Sequence, residues 1–204
     1  MPVLIYDQDM EREIRLARSG AQENNRDEVW EGVLVVPAVA NNEHQTLVMD
    51  LCYAFASCAN RSGGDRVQPG ANVSDRDAKW KDNYRCPDVV VYLASNKAKD
   101  SNTHWVGGPD QAVEIASPGE DPRLKLEFYA KVKTREVLIV DRDPWALELY
   151  QFKGAKLVSV GVSDLATSAV LKSEALPLSF QLCPGTPRPT IHIAHTTSAQ
   201  TWTA

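Results

Sequence analysis

The sequence predicts an α/β (α+β) domain with a mixed central β-sheet flanked by helices. Three observations predict it. "NNEHQTLVMDLCYAFASC" repeats Leu47, Leu51, Ala54, Phe55 and Cys58 at helical spacing. "DVVVYLA" and "REVLIVD" are short β-branched apolar runs, the signature of strands buried on both faces. The elements also alternate as helix, strands, helix, strands, the order of a layered fold.

In chain order, "MEREIRLARSG" carries Ile14 and Leu16 amid alternating charge and stops at Gly20, as a short amphipathic helix does. The polar loop "AQENNRDE" leads into "VWEGVLVVP", a strand pair or one bent strand. In the second helix Asn42 is expected to cap and Gln45 to complete a capping box, with Asn60 through Gly64 marking the end. "RVQPGANVS" reads as a strand, "DRDAKWKDNY" as a polar loop, and "RCPDVVVYLA" and "QAVEIAS" as successive buried strands. In "EDPRLKLEFYAKVKT", Asp121 caps a helix, Pro122 takes its first position, and Leu124, Phe128 and Val132 form one stripe. "REVLIVD" follows as a buried strand and "WALELYQF" as a half-exposed one, before Lys153-Gly154 turns into "AKLVSVGV". Residues 1–183 thus make one domain, and the Pro- and Thr-rich segment 184–204 is expected to be an extended arm or a disordered end.

At 204 residues, 43% hydrophobic and 24% charged, the chain has the composition of a soluble globular protein. Its apolar runs fall far below the ~18 residues of a membrane span, and the N-terminus lacks a signal-peptide pattern, so a cytoplasmic location is expected. Cys52, Cys58, Cys86 and Cys183 form no C-x-x-C pair and read as reduced thiols. The net charge of −5 argues against a protein that coats nucleic acid through overall charge, while leaving room for a local basic groove.

The chemistry concentrates in two strands. Glu114 interrupts the buried run "QAVEIAS", and an ionised carboxylate there needs a cation, a metal or hydrogen bonds to answer it. Asp88 stands at the mouth of the neighbouring "DVVVYL". Glu114 shares its strand face with Ala112 and Ala116, which leave room beside it. Two acids from adjacent strands suit a hard divalent ion such as Mg²⁺, which is completed by water and substrate phosphate. Lys125, one helical turn before Tyr129, is the candidate to stabilise an attacking hydroxide or the developing phosphorane charge.

"RCPDVVVYL", "AVEIASP", "KLEFYAKV" and "REVLIVDRD", in that order, together with "DEVWEGVLVV" and "NNEHQ", resemble the Uma-two family. That family is also described as a domain of unknown function, and its members adopt the restriction-endonuclease-like PD-(D/E)xK fold. The resemblance, from about Asp27 to Phe180, implies a metal-dependent endonuclease acting on nucleic acid, DNA in particular, as a homodimer. It implies Mg²⁺ or Mn²⁺ held by Asp88, Glu114 and the Ile115 carbonyl, with a 5′-phosphate product. Glu28 would sit beside the metal, and His44 would contact substrate or buttress the site. The general nuclease pattern has a lysine two positions after the glutamate, where this chain has Ala116. The family moves the lysine to the following helix, where Lys125 stands, across a connection about one turn shorter than in typical members.

Plainer readings stand beside these. Glu114 and Lys125 could form a structural ion pair in a catalytically inactive module for nucleic-acid binding or regulation. His44 could be an ordinary first-turn residue, and Asp88 an ordinary strand-start carboxylate. Lys131, Lys133 and Arg135 read as a solvated helix end more readily than as phosphate contacts. Trp80 and Tyr84, amid Arg76, Lys79, Lys81 and Arg85, could stack bases or form an ordinary loop. His104, His192 and His195 match no recognised spacing, and no Ser/His/Asp or Cys/His arrangement suggests a small-molecule hydrolase.

Overall fold

The computed structural model describes residues 2–19 and 26–204; the expected helix stop at Gly20 and residues 21–25 of the polar loop lie outside the described residues. Strand β1 (Val3–Ile5) and helix α1 (Gln8–Ser19) come first. Glu31 and Gly32 then take φ of 47° and 88°, the paired left-handed conformation of a two-residue hairpin turn, which folds "EVWEGVLVV" into antiparallel β2 (Glu28–Trp30) and β3 (Val33–Val36).

Helix α2 (Asn42–Cys58) buries Leu47, Leu51, Ala54 and Phe55, as their spacing predicts. Its cap is Asn41, one residue earlier than expected, because Asn41 is the extended residue whose side-chain oxygen accepts the His44 N–H at 2.9 Å. "RVQPGANVS" is two strands, β4 (Arg66–Pro69) and β5 (Val73–Ser74), which belong to different sheets. Gly70, at φ 60°, lies in the turn between them. In the loop "DRDAKWKDNY", Trp80 packs edge-on against Tyr84 and stacks on the buried His104 ring at 4.6 Å, so one face of the indole is occupied.

Strands β6 (Tyr84–Arg85), β7 (Val89–Tyr92), β8 (Lys99–Asp100), β9 (Trp105–Val106) and β10 (Gln111–Ile115) follow. Asp121 caps the next element through the Arg123 N–H at 3.1 Å, but that element opens as a 3-10 turn, Pro122–Lys125, before helix α3 (Leu126–Lys131). The tighter winding takes Leu124 off the expected stripe: it is 66% exposed, whereas Phe128 and Val132 are buried. Then come β11 (Glu136–Arg142), β12 (Trp145–Lys153), β13 (Lys156–Asp164), β14 (Leu171–Lys172), β15 (Leu178–Cys183), β16 (Thr190–His195) and β17 (Thr201–Thr203).

The last two strands correct the expected arm. "TIHIAH" alternates with period two and buries Ile191 and Ile193, and β16 pairs with β15 across its whole length. Composition rich in Pro and Thr had hidden that alternation.

The six-stranded sheet runs β13-β12-β11-β10-β7-β4, with β10 and β11 as its parallel pair. Val89, Val91, Val113, Ile115, Leu138 and Val140 pack in one core with α2 and the four-stranded sheet β14-β15-β16-β17, while Val90, Ala112, Val137 and Ile139 pack with α3. Glu28 belongs to the seven-stranded sheet β1-β3-β2-β6-β5-β9-β8. Among the described residues, no helix is long and apolar enough to cross a membrane.

Candidate active site

Strand register brings the two acids together. β7 and β10 are antiparallel with Val89 opposite Val113, so the next residues along, Asp88 and Glu114, come to the same end of the strand pair, with Glu114 facing α3. The Asp88 N–H donates to the Val113 carbonyl at 3.0 Å, and Asp88 Oδ2 accepts the Ile115 N–H at 2.8 Å. Asp88 Oδ1 lies 3.2 Å from His44 Nε2 at the start of α2 and accepts from Arg26 as well. Burial opposes charge on Asp88, but His44, the Ile115 N–H and Arg26 outweigh it and hold the carboxyl below its ordinary range.

Glu114 is answered from α3 and the turn before it. Lys125 Nζ donates to Glu114 Oε2 at 2.9 Å, and the Tyr129 hydroxyl donates to Oε1. The short connection therefore suffices for Lys125 to reach Glu114. The same ammonium donates to Glu28 Oε1 at 2.9 Å, and Glu28 is fixed by the Cys86 N–H at 2.8 Å and the Trp30 Nε1–H at 2.7 Å. Glu28, His44, Asp88, Glu114, Ile115 and Lys125, the whole set of sequence candidates, line one cavity of about 330 Å³.

The charges in that cavity do not cancel. Burial pushes Glu114 up to about 7; Lys125 relieves part of this, and the charges of Glu28 and Asp88 reinforce it. Lys125 is itself buried, which disfavours its charge, yet Glu114 and Glu28 prevail and raise its pKa. Because folded Glu114 holds its proton more tightly than the unfolded chain does, stability should fall as pH rises from about 4.5 towards 7. Glu114→Gln should flatten that slope in urea titrations across this window. An unchanged slope would show that Glu114 is not the group responsible.

Among the described residues, no three His, Cys, Asp or Glu side chains are grouped to hold a metal. A Mg²⁺ site needs less: one or two carboxylates with water and substrate phosphate. Asp88 and Glu114 provide hard carboxylate oxygens at one cavity that Ile115 also lines, and the excess negative charge around Glu114 is what a divalent cation would neutralise. On donor chemistry and charge, these residues fit such an ion.

Three residues go beyond the sequence candidates: Arg26 and Tyr129 bond to Asp88 and Glu114, and Arg85 packs behind them against Trp30. Arg26 falls in the polar loop that the sequence predicts, and it donates to Asp88 from two residues before Glu28. Tyr129 stands in the sequence only as Lys125's neighbour one helical turn on. Arg85 is buried, with its guanidinium 4.8 Å from the Trp30 ring and 4.3 Å from the Phe128 ring, and it donates to the Val29 carbonyl at 2.9 Å. No local pattern distinguishes it from the exposed cations around it.

The sequence profile of the Uma2 family, described as "Putative restriction endonuclease", matches residues 12–184. A crystal structure of "a putative nuclease belonging to DUF820" from Anabaena variabilis ATCC 29413 superposes with a TM-score of 0.57 at 17% sequence identity, covering 72% of this chain and 80% of that one. No curated protein matches the sequence. The structural similarity shows a shared fold of the restriction-endonuclease-like type.

Proposed function

Because the chain belongs to the Uma2 family, we propose that it is a Mg²⁺- or Mn²⁺-dependent endonuclease that hydrolyses phosphodiester bonds of DNA, working as a cytoplasmic homodimer. The observation that carries the reading is the Lys125 ammonium, 2.9 Å from both Glu114 and Glu28 in a cavity that Asp88 and Ile115 also line. Family membership supports nuclease chemistry in general.

Asp88, Glu114 and the Ile115 carbonyl would hold the ion. When bound, it supplies acidified water and neutralises phosphate charge. Lys125 orients the attacking water and stabilises charge building on the phosphorane oxygens. As the water oxygen bonds to phosphorus and gives its proton to solvent, the bond to the 3′ oxygen breaks and that oxygen takes a proton from solvent, leaving a 5′ phosphate and a 3′ hydroxyl. Glu28 and Tyr129 hold Lys125 and Glu114 in register, and His44 keeps Asp88 oriented. Arg26, 30% exposed, is the cation nearest solvent and the one to meet an incoming phosphate.

A second reading has its own observation. Both oxygens of Asp88 and both of Glu114 already have protein partners, as in a purely structural ion-pair network of a catalytically inactive nucleic-acid-binding or regulatory module. Titrating Mn²⁺ while following thermal unfolding separates the two. A site that binds the ion only when folded should raise the melting temperature progressively with metal, and a hundredfold excess over Kd corresponds to about 2.7 kcal/mol. No rise at millimolar Mn²⁺ would favour the inactive module.

A further inference from the structure

The floor and the rim of the cavity are built from opposite chemistry. On the floor, the side chains of Glu28, His44, Asp88 and Glu114 are 5%, 4%, 9% and 5% exposed. On the rim, Val39 is 97% exposed on the β3–α2 connection and Leu124 is 66% exposed on the turn before α3. Trp30 also lines the cavity, pinned by its bond to Glu28 and by Arg85 over its ring.

We propose that this cavity admits an unpaired nucleotide, so that the substrate is single-stranded or locally unpaired nucleic acid and intact duplex is a poor one. The inference rests on the nuclease reading and names the substrate class of that same site.

Three physical arguments support it. The phosphates of a stacked duplex lie on a convex surface backed by base pairs, whereas the reactive groups here lie at the bottom of a concavity of about 330 Å³. Bringing a phosphate down to them requires its nucleotide to leave the stack, which is least unfavourable where the strand is already unpaired. The second argument is electrostatic. Six carboxylates line the cavity (Asp27, Glu28, Asp88, Glu114, Glu120 and Asp121) against two cations, Arg26 and Lys125, both already ion-paired. Duplex binding by counterion release needs a row of available lysines and arginines, and this lining offers a single solvent-facing cation, Arg26. Third, the exposed apolar rim offers what a lost phosphate row cannot: contact with the face of an unstacked base, an interaction that tolerates any sequence.

The test uses one labelled oligodeoxynucleotide offered as a single strand, as a duplex, and as a duplex with a central bubble. Binding is read by fluorescence anisotropy in Ca²⁺, and cleavage in Mn²⁺. The single strand and the bubble should bind at least ~10-fold more tightly than the duplex and be cut in that order, with a shallow salt dependence. The double substitution Val39→Ser, Leu124→Ser should weaken single-strand binding by about 10-fold. It should leave the melting temperature nearly unchanged, because both side chains are exposed. Equal or tighter duplex binding, or rim variants that bind like wild type, would overturn the inference. So would a dimer in sedimentation that dissociates in the rim variant, since the rim would then belong to a second copy of the chain. Single-strand binding without cleavage would support the recognition inference and overturn the nuclease reading on which its catalytic half rests.

Discussion

Replacing Lys125 with methionine should slow phosphodiester cleavage by about 10²–10⁴-fold, the range for loss of a group that handles a proton or charge in the transition state. It should also destabilise the fold by about 3–5 kcal/mol, as expected when one partner of a buried ion pair is removed. Methionine fills the volume of the lysine stem but leaves Glu28 and Glu114 facing each other with no ammonium between them. The two effects are separable. Lys125→Arg restores a cation and should recover much of the stability, measured by urea unfolding, but less of the activity, because a planar fork cannot present one compact charge to both carboxylates and to water. If Lys125→Met cleaves like wild type at a temperature where both are folded, the ammonium has no part in the chemistry.

Asp88→Asn should have the second large effect. Asparagine keeps the shape and can still accept the Ile115 N–H, but it offers a metal no charge. Cleavage should fall by at least ~10²-fold, beyond what losing a group that merely supports a ligand would cause, and stabilisation by Mn²⁺ should vanish. The acid limb of stability should change as well. Asp88 ionises more readily folded than unfolded, so its contribution is present above the ordinary carboxylate value and is lost as pH falls through the depressed one. The asparagine variant lacks that contribution and should lose less stability on acidification. A melting temperature that still climbs with Mn²⁺ as in wild type would remove Asp88 from the ligand set.

Much of this site was legible because its signals are local. Glu114 stood out as a charge in an otherwise apolar strand, and period-two alternation put it on the face that α3 covers. Lys125 and Tyr129 are four residues apart, and they do converge on Glu114 although the first turn is 3-10 and not α-helical. What stayed hidden depends on contacts distant in sequence. Lys125 meets Glu28, and Arg26 meets Asp88, only because β2 of one sheet is folded against β7 and β10 of another. The hairpin of β16 and β17 was missed for a different reason: Pro184, Pro187 and Pro189 dominate the composition just where the Ile191/Ile193 alternation begins. That hairpin lies beyond the residues matched by the family profile, so the resemblance could not supply it either.

The most direct measurement is cleavage of labelled single-stranded DNA by wild type, Asp88→Asn and Lys125→Met, purified in parallel and assayed with Mn²⁺ and with EDTA. A metal-dependent nuclease built on Asp88, Glu114 and Lys125 predicts cleavage by wild type with Mn²⁺ alone, and its loss in both variants. Equal cleavage by all three proteins, or cleavage that survives EDTA, would contradict it.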